Sequence, residues 1–138
     1  MRKVNWFPIV LVALLVMPFL NAGIADAQQA ASLEVAMGAI CRDVVNRQPV
    51  DVGTSFESSV GKLYCLTKII GSAGPTEITH VWYFGNTERA RVDLDVNSAT
   101  WRTYSSKIIQ PHEIGAWHVD VLGPGGELLQ TFEFTITP

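Results

Sequence analysis

The sequence is poor in charged residues, cysteine and histidine. Lysine, arginine, aspartate and glutamate make up only 17 % of its 138 residues, and the ten basic residues form no run. Proteins that bind nucleic acid usually concentrate basic residues in a patch, so we expect no nucleic-acid partner. The hydrophobic fraction of 48 % excludes an intrinsically disordered chain. The length allows one domain of ordinary size and excludes large barrels and long repeat arrays.

Sequence signatures of catalysis and cofactor binding are also missing. There is no GxSxG pattern, and the segment Ser105-Ser106-Lys107 lacks the SxxK spacing because position 104 is tyrosine. The glycine-rich run 123–126 joins two predicted strands, whereas a phosphate-binding loop joins a strand to a helix. The carboxylates are scattered, with no pair typical of a glycosidase. We therefore predict that the protein is not an enzyme and uses no cofactor.

The N-terminal segment has the order of a secretory signal peptide. Arg2 and Lys3 precede the apolar run 6–20, and Ala25-Asp26-Ala27 offers a small-x-small cleavage site. The run is shorter than the roughly 20 residues that span a bilayer. We predict a signal peptide at 1–27, one domain at 28–138 and a periplasmic or secreted bacterial protein that is not inserted in the membrane after cleavage. An uncleaved anchor is the alternative.

The only two cysteines, Cys41 and Cys65, lie 24 positions apart in what look like separate strands. Exported chains with two cysteines usually join them. We therefore expect a disulfide, which would stabilise the fold by roughly 3 kcal/mol in the chain-entropy description. The alternative is a pair of buried free thiols that act as small hydrophobic residues.

From residue 32 onward the hydrophobic pattern has a period of two, which predicts strands. Trp82 and Trp117 fall on the apolar faces of their strands, and we assign both to the core. The segment 46–59 is polar and contains Pro49, so it reads as a long loop. Short strands with short connections predict one small immunoglobulin-like β-sandwich of about seven antiparallel strands. The predicted strands are 33–43, 61–70, 78–84, 88–96, 100–109, 116–122 and 128–136.

Five segments in this order carry a resemblance to a known family. They are LYCLTKI at 63–69, THVWYF at 79–84, ERARVDL at 88–94, WRTYSSK at 101–107 and GAWHVDVL at 115–122. Together with the last strand they resemble the bacterial domain-of-unknown-function family 2914, with a family-like core at 61–138. The resemblance implies an exported or envelope-linked all-β domain, and it supplies no activity, ligand or catalytic residue. Tyr104 departs from the pattern, since tryptophan is more frequent there.

The densest polar and aromatic segment lies between residues 101 and 107. Exposed aromatic rings with neighbouring arginines are typical of binding hot spots. Strand alternation also turns two arginines of the preceding strand outward. The candidate binding face therefore consists of Arg89, Arg91, Arg102, Tyr104 and Lys107. The alternative is that these residues only solvate their strands and that Trp101 belongs to the core.

Three imidazoles, of His80, His112 and His118, raise the question of a zinc or copper site. If Trp82 faces the core, so does His80, two residues earlier on the same strand. His118 follows core-facing Trp117 and therefore points outward. We expect a partly buried His80 with a hydrogen bond to backbone or carboxylate.

These observations favour a non-catalytic exported recognition or structural domain that binds an envelope protein or a glycan. A carbohydrate-binding module with exposed aromatic rings is one alternative. A periplasmic metal-binding protein that uses His80 and His118 is a weaker one.

Overall fold

The computed structural model describes residues 32–138, and this part of the chain is built from strands without any helix. The predicted signal peptide at 1–27 lies outside the described residues. Within 32–138 there is accordingly no long apolar helix able to cross a bilayer. The strands are β1 (Glu34–Val45), β2 (Gln48–Val52), β3 (Ser55–Glu57), β4 (Lys62–Ile70), β5 (Thr76–Phe84), β6 (Thr87–Val96), β7 (Thr100–Ile108), β8 (Gly115–Leu122) and β9 (Leu128–Thr137).

The strands form two open sheets. Sheet A has the order β2-β1-β4-β7, and sheet B has the order β3-β9-β8-β5-β6. Neighbouring strands are antiparallel except for β3, which pairs with β9 in parallel. The sequence-based prediction of an all-β sandwich is therefore confirmed.

The segment 46–59, which the sequence suggested to be a loop, instead contains β2 and β3. Asn46 and Arg47 have φ angles of 51° and 57°, so the two form a tight turn that reverses β1 into β2. Two-residue hairpin turns with both φ angles positive match the natural twist of the flanking strands. Pro49 is tolerated because β2 is an edge strand. The two additional short strands raise the number to nine.

The core lies between the sheets and contains both tryptophans. Trp82 is fully buried on β5, and Trp117 on β8 is 1 % exposed. Trp117 stacks on Phe134 of β9 with ring centroids 5.9 Å apart. A Cβ atom at Gly38 of β1 would collide with the ring of Phe132, so glycine is needed there. Burial of each large side chain contributes roughly 2–3 kcal/mol, which makes this layer the main source of stability.

Candidate functional site

The structure divides the predicted binding face between two sheets. Arg102 and Tyr104 point to the outer face of sheet A, since they alternate with Ser105, which is buried between the sheets. Lys107 has the opposite parity to Tyr104 and shares the orientation of Ser105. Its Nζ atom donates to the carbonyl of Ile108 at 2.8 Å. Arg102 and Tyr104 alone remain together as a candidate site.

Arg89 is partly exposed, but it also pairs with a buried carboxylate, which strand alternation did not predict. The β5–β6 register shifts at this point, so that Trp82 faces Ala90 while Tyr83 faces Glu88, and Arg89 is the extra residue of a β-bulge. Its Nη1 atom lies 2.7 Å from Oε2 of Glu113, whose side chain is 1 % exposed. The bulge thus redirects Arg89 into a structural ion pair.

Arg91 is exposed, but it lies on sheet B rather than beside Arg102. Its Nη2 atom donates to Oε1 of Glu88 at 2.7 Å, and both side chains are about half exposed. Solvent screens a surface pair of this kind, so it contributes little to stability. The structure therefore separates Arg91 from the aromatic residues of β7.

The tip of the β1–β2 hairpin reaches β7 at two residues, Arg102 on the outer face and Trp101, which has the parity of Ser105 and packs partly against the core. Arg102 donates from Nη1 to the carbonyl of Arg47 and to Oε1 of Gln48, each at 3.2 Å. The guanidinium of Arg47 lies 4.8 Å from the centroid of the Trp101 ring. These contacts form one wall of an open groove of about 520 Å³. The groove is lined by Val44, Asn46, Arg47, Asp95, Asn97, Trp101, Arg102, Thr103 and Tyr104.

The groove combines the group types that recognise polar ligands. Two guanidinium groups, side-chain amides, a carboxylate and two aromatic rings converge on it. Tyr104 is 44 % exposed and packs edge-on against Tyr64 with centroids 6.0 Å apart. Sequence analysis missed Arg47. Its signal was Asn46, a residue favoured in such turns, between Val44-Val45 and the alternating Val50 and Val52.

A larger depression of about 690 Å³ lies on sheet B beside His118 and Glu133. The His118 ring there is already stacked on Tyr83, with centroids 4.6 Å apart. Among the described residues that line this depression there is no guanidinium group, and its one tryptophan, Trp117, is buried. The groove on sheet A is therefore the stronger candidate.

His80 lies inside the sandwich and joins the two sheets through hydroxyl groups. Trp82 donates from Nε1 to Oγ of Ser105 at 3.0 Å, and Nδ1 of His80 lies 2.7 Å from the same oxygen. On the other side, Nε2 of His80 lies 3.1 Å from Oγ1 of Thr67, which donates to the carbonyl of Thr103. We assign the Nε2–H tautomer, because it gives every donor in this series an acceptor.

Burial lowers the pKa of His80 to about 4. The ring is thus neutral at physiological pH and acts as a structural connector. His118 lies on the opposite face of sheet B, so the two imidazoles of the metal-binding alternative do not converge. Within residues 32–138, no group of three histidine, cysteine or acidic side chains is placed to hold a metal ion.

The predicted disulfide is not formed, and both thiols are free and buried. Cys41 is paired with Tyr64, and Cys65 is paired with Ile40, across β1 and β4. Directly paired residues share a face of a sheet, so the two thiols lie on opposite faces of sheet A. A disulfide needs Cβ atoms about 4 Å apart and directed at each other. Burial raises the pKa of both thiols.

Comparison with known proteins gives a match to one family model over part of the chain, and no activity. The family model described as "Protein of unknown function (DUF2914)" matches residues 75–136. No curated protein matches the sequence. Among solved structures, a selenomethionine-labelled β-glucosidase from Kluyveromyces marxianus is similar, with a TM-score of 0.46 and 8 % identity. The match covers 79 % of this chain and 15 % of the enzyme chain. The matched residues 75–136 include nearly all of β5 to β9, so this part of the chain is similar to the DUF2914 family.

Proposed function

We propose that this protein is a non-catalytic recognition domain of the bacterial envelope that binds its ligand in the groove between the β1–β2 turn and β7. The ligand is an envelope protein or a glycan. The observation that carries this proposal is the convergence of Arg102, Tyr104 and the Arg47–Trp101 stack on one open groove. Tryptophan, tyrosine and arginine are the residues most enriched in binding hot spots.

The backbone at Arg47 supports a role beyond folding. Its φ of 57° belongs to the left-handed region, where glycine is favoured and a residue with a Cβ atom costs about 1 kcal/mol. An Asn-Gly pair would make the same turn without this cost. Strained backbone of this kind clusters at binding and catalytic sites. The arginine at this position places a cation over Trp101 and a carbonyl against Arg102.

The reactive side chains favour binding over catalysis. Ser105 and His80, a hydroxyl and an imidazole in contact, are both buried, and both ring nitrogens of His80 are engaged. A nucleophile in a hydrolase must instead reach its substrate. Export to the periplasm or the medium rests on the signal-peptide features of residues 1–27.

A carbohydrate-binding module is the second candidate function. The exposed ring of Tyr104, set beside the amides of Asn46 and Asn97 and the carboxylate of Asp95, would suit the apolar face and hydroxyl groups of a sugar. The metal-binding alternative is less well supported, because His80 and His118 lie on opposite faces of sheet B.

The test uses the mature protein and an immobilised cell-envelope fraction, with purified peptidoglycan sacculi as a separate glycan probe. We expect Arg102→Ala and Tyr104→Ala each to weaken binding by about tenfold, the effect of a typical hot-spot residue. Arg91→Ala is the control, since it removes a surface arginine from sheet B, away from the groove, and it should leave binding unchanged. Undiminished binding by the Arg102→Ala, Tyr104→Ala double variant would overturn the proposal.

A further inference from the structure

Two open sheets have four edges, and in the described chain three of them are interrupted. Strand β2 contains Pro49 and a left-handed residue, Asp51, with a φ of 56°. Strand β3 has only three residues. Strand β6 carries the bulge at Arg89 and a series of outward charges. Prolines, bulges, charges and short length are the usual devices that prevent an edge strand from pairing with another chain.

Strand β7 lacks all of these devices over its centre. It pairs with β4 through nine consecutive residues without a register shift. It contains no proline, and no charge lies between Arg102 and Lys107. Tyr104 and Ile108 are 44 % and 58 % exposed along it. This is the regular, uncovered edge that templates strand addition.

The hydrogen bonds at both ends of β7 show which backbone groups face the open side. Ala99 accepts from the amide of Gly71, and Ile109 donates to the carbonyl of Gly61. In an antiparallel ladder the residues that bond to the partner strand alternate with residues whose N–H and C=O groups point away. The backbone N–H and C=O groups of the odd-numbered residues of β7 therefore point toward β4. Those of the even-numbered residues point away from β4, toward the open edge of the sheet.

Side chains of the described residues donate hydrogen bonds to the outward-pointing carbonyls only at the two ends of this edge. Ser98 donates from its hydroxyl to Thr100 at 2.7 Å, and Lys107 donates to Ile108 at 2.8 Å. Between them, the N–H and C=O groups of Arg102, Tyr104 and Ser106 have no partner within residues 32–138. Three donors and three acceptors thus stand in register for an added strand.

The charge around this edge selects the kind of partner. Strands β4 and β7 together carry four basic residues and no acidic residue. Strands β5, β6, β8 and β9 carry six acidic residues and two arginines. Pairing of β7 with β7 of a second copy would bring two basic strands together. An acidic strand would instead meet complementary charge at Lys68 and Arg102, which are paired on the outer face of sheet A.

We propose that an extended, acidic segment of a partner polypeptide adds to β7 as a further strand of sheet A, with one of its side chains in the groove beside Trp101. The proposal rests on the proposed function and names the partner class of that site. Backbone bonds to the even-numbered residues provide affinity, and the groove together with the basic residues provides specificity.

Ser106 offers a test that separates backbone pairing from side-chain binding. Ser106→Pro removes one outward N–H and places the ring in the path of an added strand, while the bonds to β4 are kept because proline is compatible with an outward edge position. Ser106→Ala is the matched control, since it keeps the N–H. The probes are two sets of capped nonapeptides, one with glutamate and one with lysine at alternate positions, and binding is measured by fluorescence anisotropy.

The proposal predicts that the glutamate set binds wild type and Ser106→Ala equally, and binds Ser106→Pro at least about tenfold more weakly. The lysine set should not bind. Equal binding to Ser106→Pro, equal binding of the lysine set or no binding of the glutamate set would overturn strand addition. So would a dimer, seen by sedimentation velocity, that Ser106→Pro dissociates, because the edge would then serve a second copy.

The sacculus experiment distinguishes this result from a failure of the proposed function. Sacculi that bind wild type and Ser106→Pro equally, but not the Arg102→Ala, Tyr104→Ala double variant, would support glycan recognition in the groove and exclude strand addition. If that double variant bound the peptides normally, strand addition at β7 would not depend on the groove, and the placement of a partner side chain in the groove would be wrong.

Discussion

The consecutive strands β6 and β7 form the edges of their two sheets, yet they are built differently. In β6, a bulge interrupts the register at Arg89, and Arg91, Asp93 and Asp95 point outward along the rest of the strand. In β7 the register is continuous and the four residues 103–106 are uncharged. Both strands place side chains in the core, so core packing does not explain why the two edges differ. The proposed addition of a partner strand to β7 would account for this difference between the two edges.

Side chains on the inward and outward faces of β7 should differ most in their contribution to stability. Ser105→Ala removes the hydroxyl that holds Nε1 of Trp82 and Nδ1 of His80, and it leaves both buried groups unsatisfied. We expect a loss of about 3 kcal/mol in the free energy of unfolding. Ser106→Ala, on the outward side, should change it by less than about 0.5 kcal/mol. Urea unfolding of the two variants checks this, and equal losses would contradict the assignment of the faces.

His80 of β5, which contacts Ser105 on the inward face of β7, should make stability depend on pH. The unfolded chain protonates His80 near pH 6.5, whereas the folded protein resists protonation until about pH 4. The unfolded state therefore binds more protons in this window, and stability falls as the pH falls, by about 1.4 kcal/mol per pH unit and about 3 kcal/mol in all. His80→Gln should remove this part of the dependence. Parallel pH–stability profiles of His80→Gln and wild type would show that His80 does not titrate as described.

The two arginines of β6 should also differ in their contribution to stability. Arg89→Ala leaves the buried carboxylate of Glu113 without its cation, and we expect a loss of about 2 kcal/mol, reduced from the fully buried case because Arg89 is one-third exposed. Arg91→Ala removes a surface pair that solvent screens, and we expect no measurable loss. Thermal unfolding measures both. If the two losses were the same, the bulge would not have the structural role assigned to it.

The amino-acid pattern predicted the sandwich and the apolar faces, because strict alternation at Trp82 and Trp117 reports burial directly. It failed where alternation is broken. The bulge brought Arg89 to the buried carboxylate of Glu113. Cys65 is paired with Ile40 and not with the next residue, Cys41, so the two thiols lie on opposite faces. The groove depends on contacts between residues more than fifty positions apart, such as Arg47 and Arg102, which no local pattern encodes.

Amide hydrogen exchange along β7, measured by NMR, tests the open-edge account most directly. In the free protein the amides of Arg102, Tyr104 and Ser106 should exchange rapidly, while those of Thr103, Ser105 and Lys107 are protected by β4. Addition of a glutamate peptide that binds should slow the three even-numbered amides and leave the odd-numbered ones unchanged. Protection of the even-numbered amides in the free protein, or rapid exchange of all three in the complex, would contradict the account.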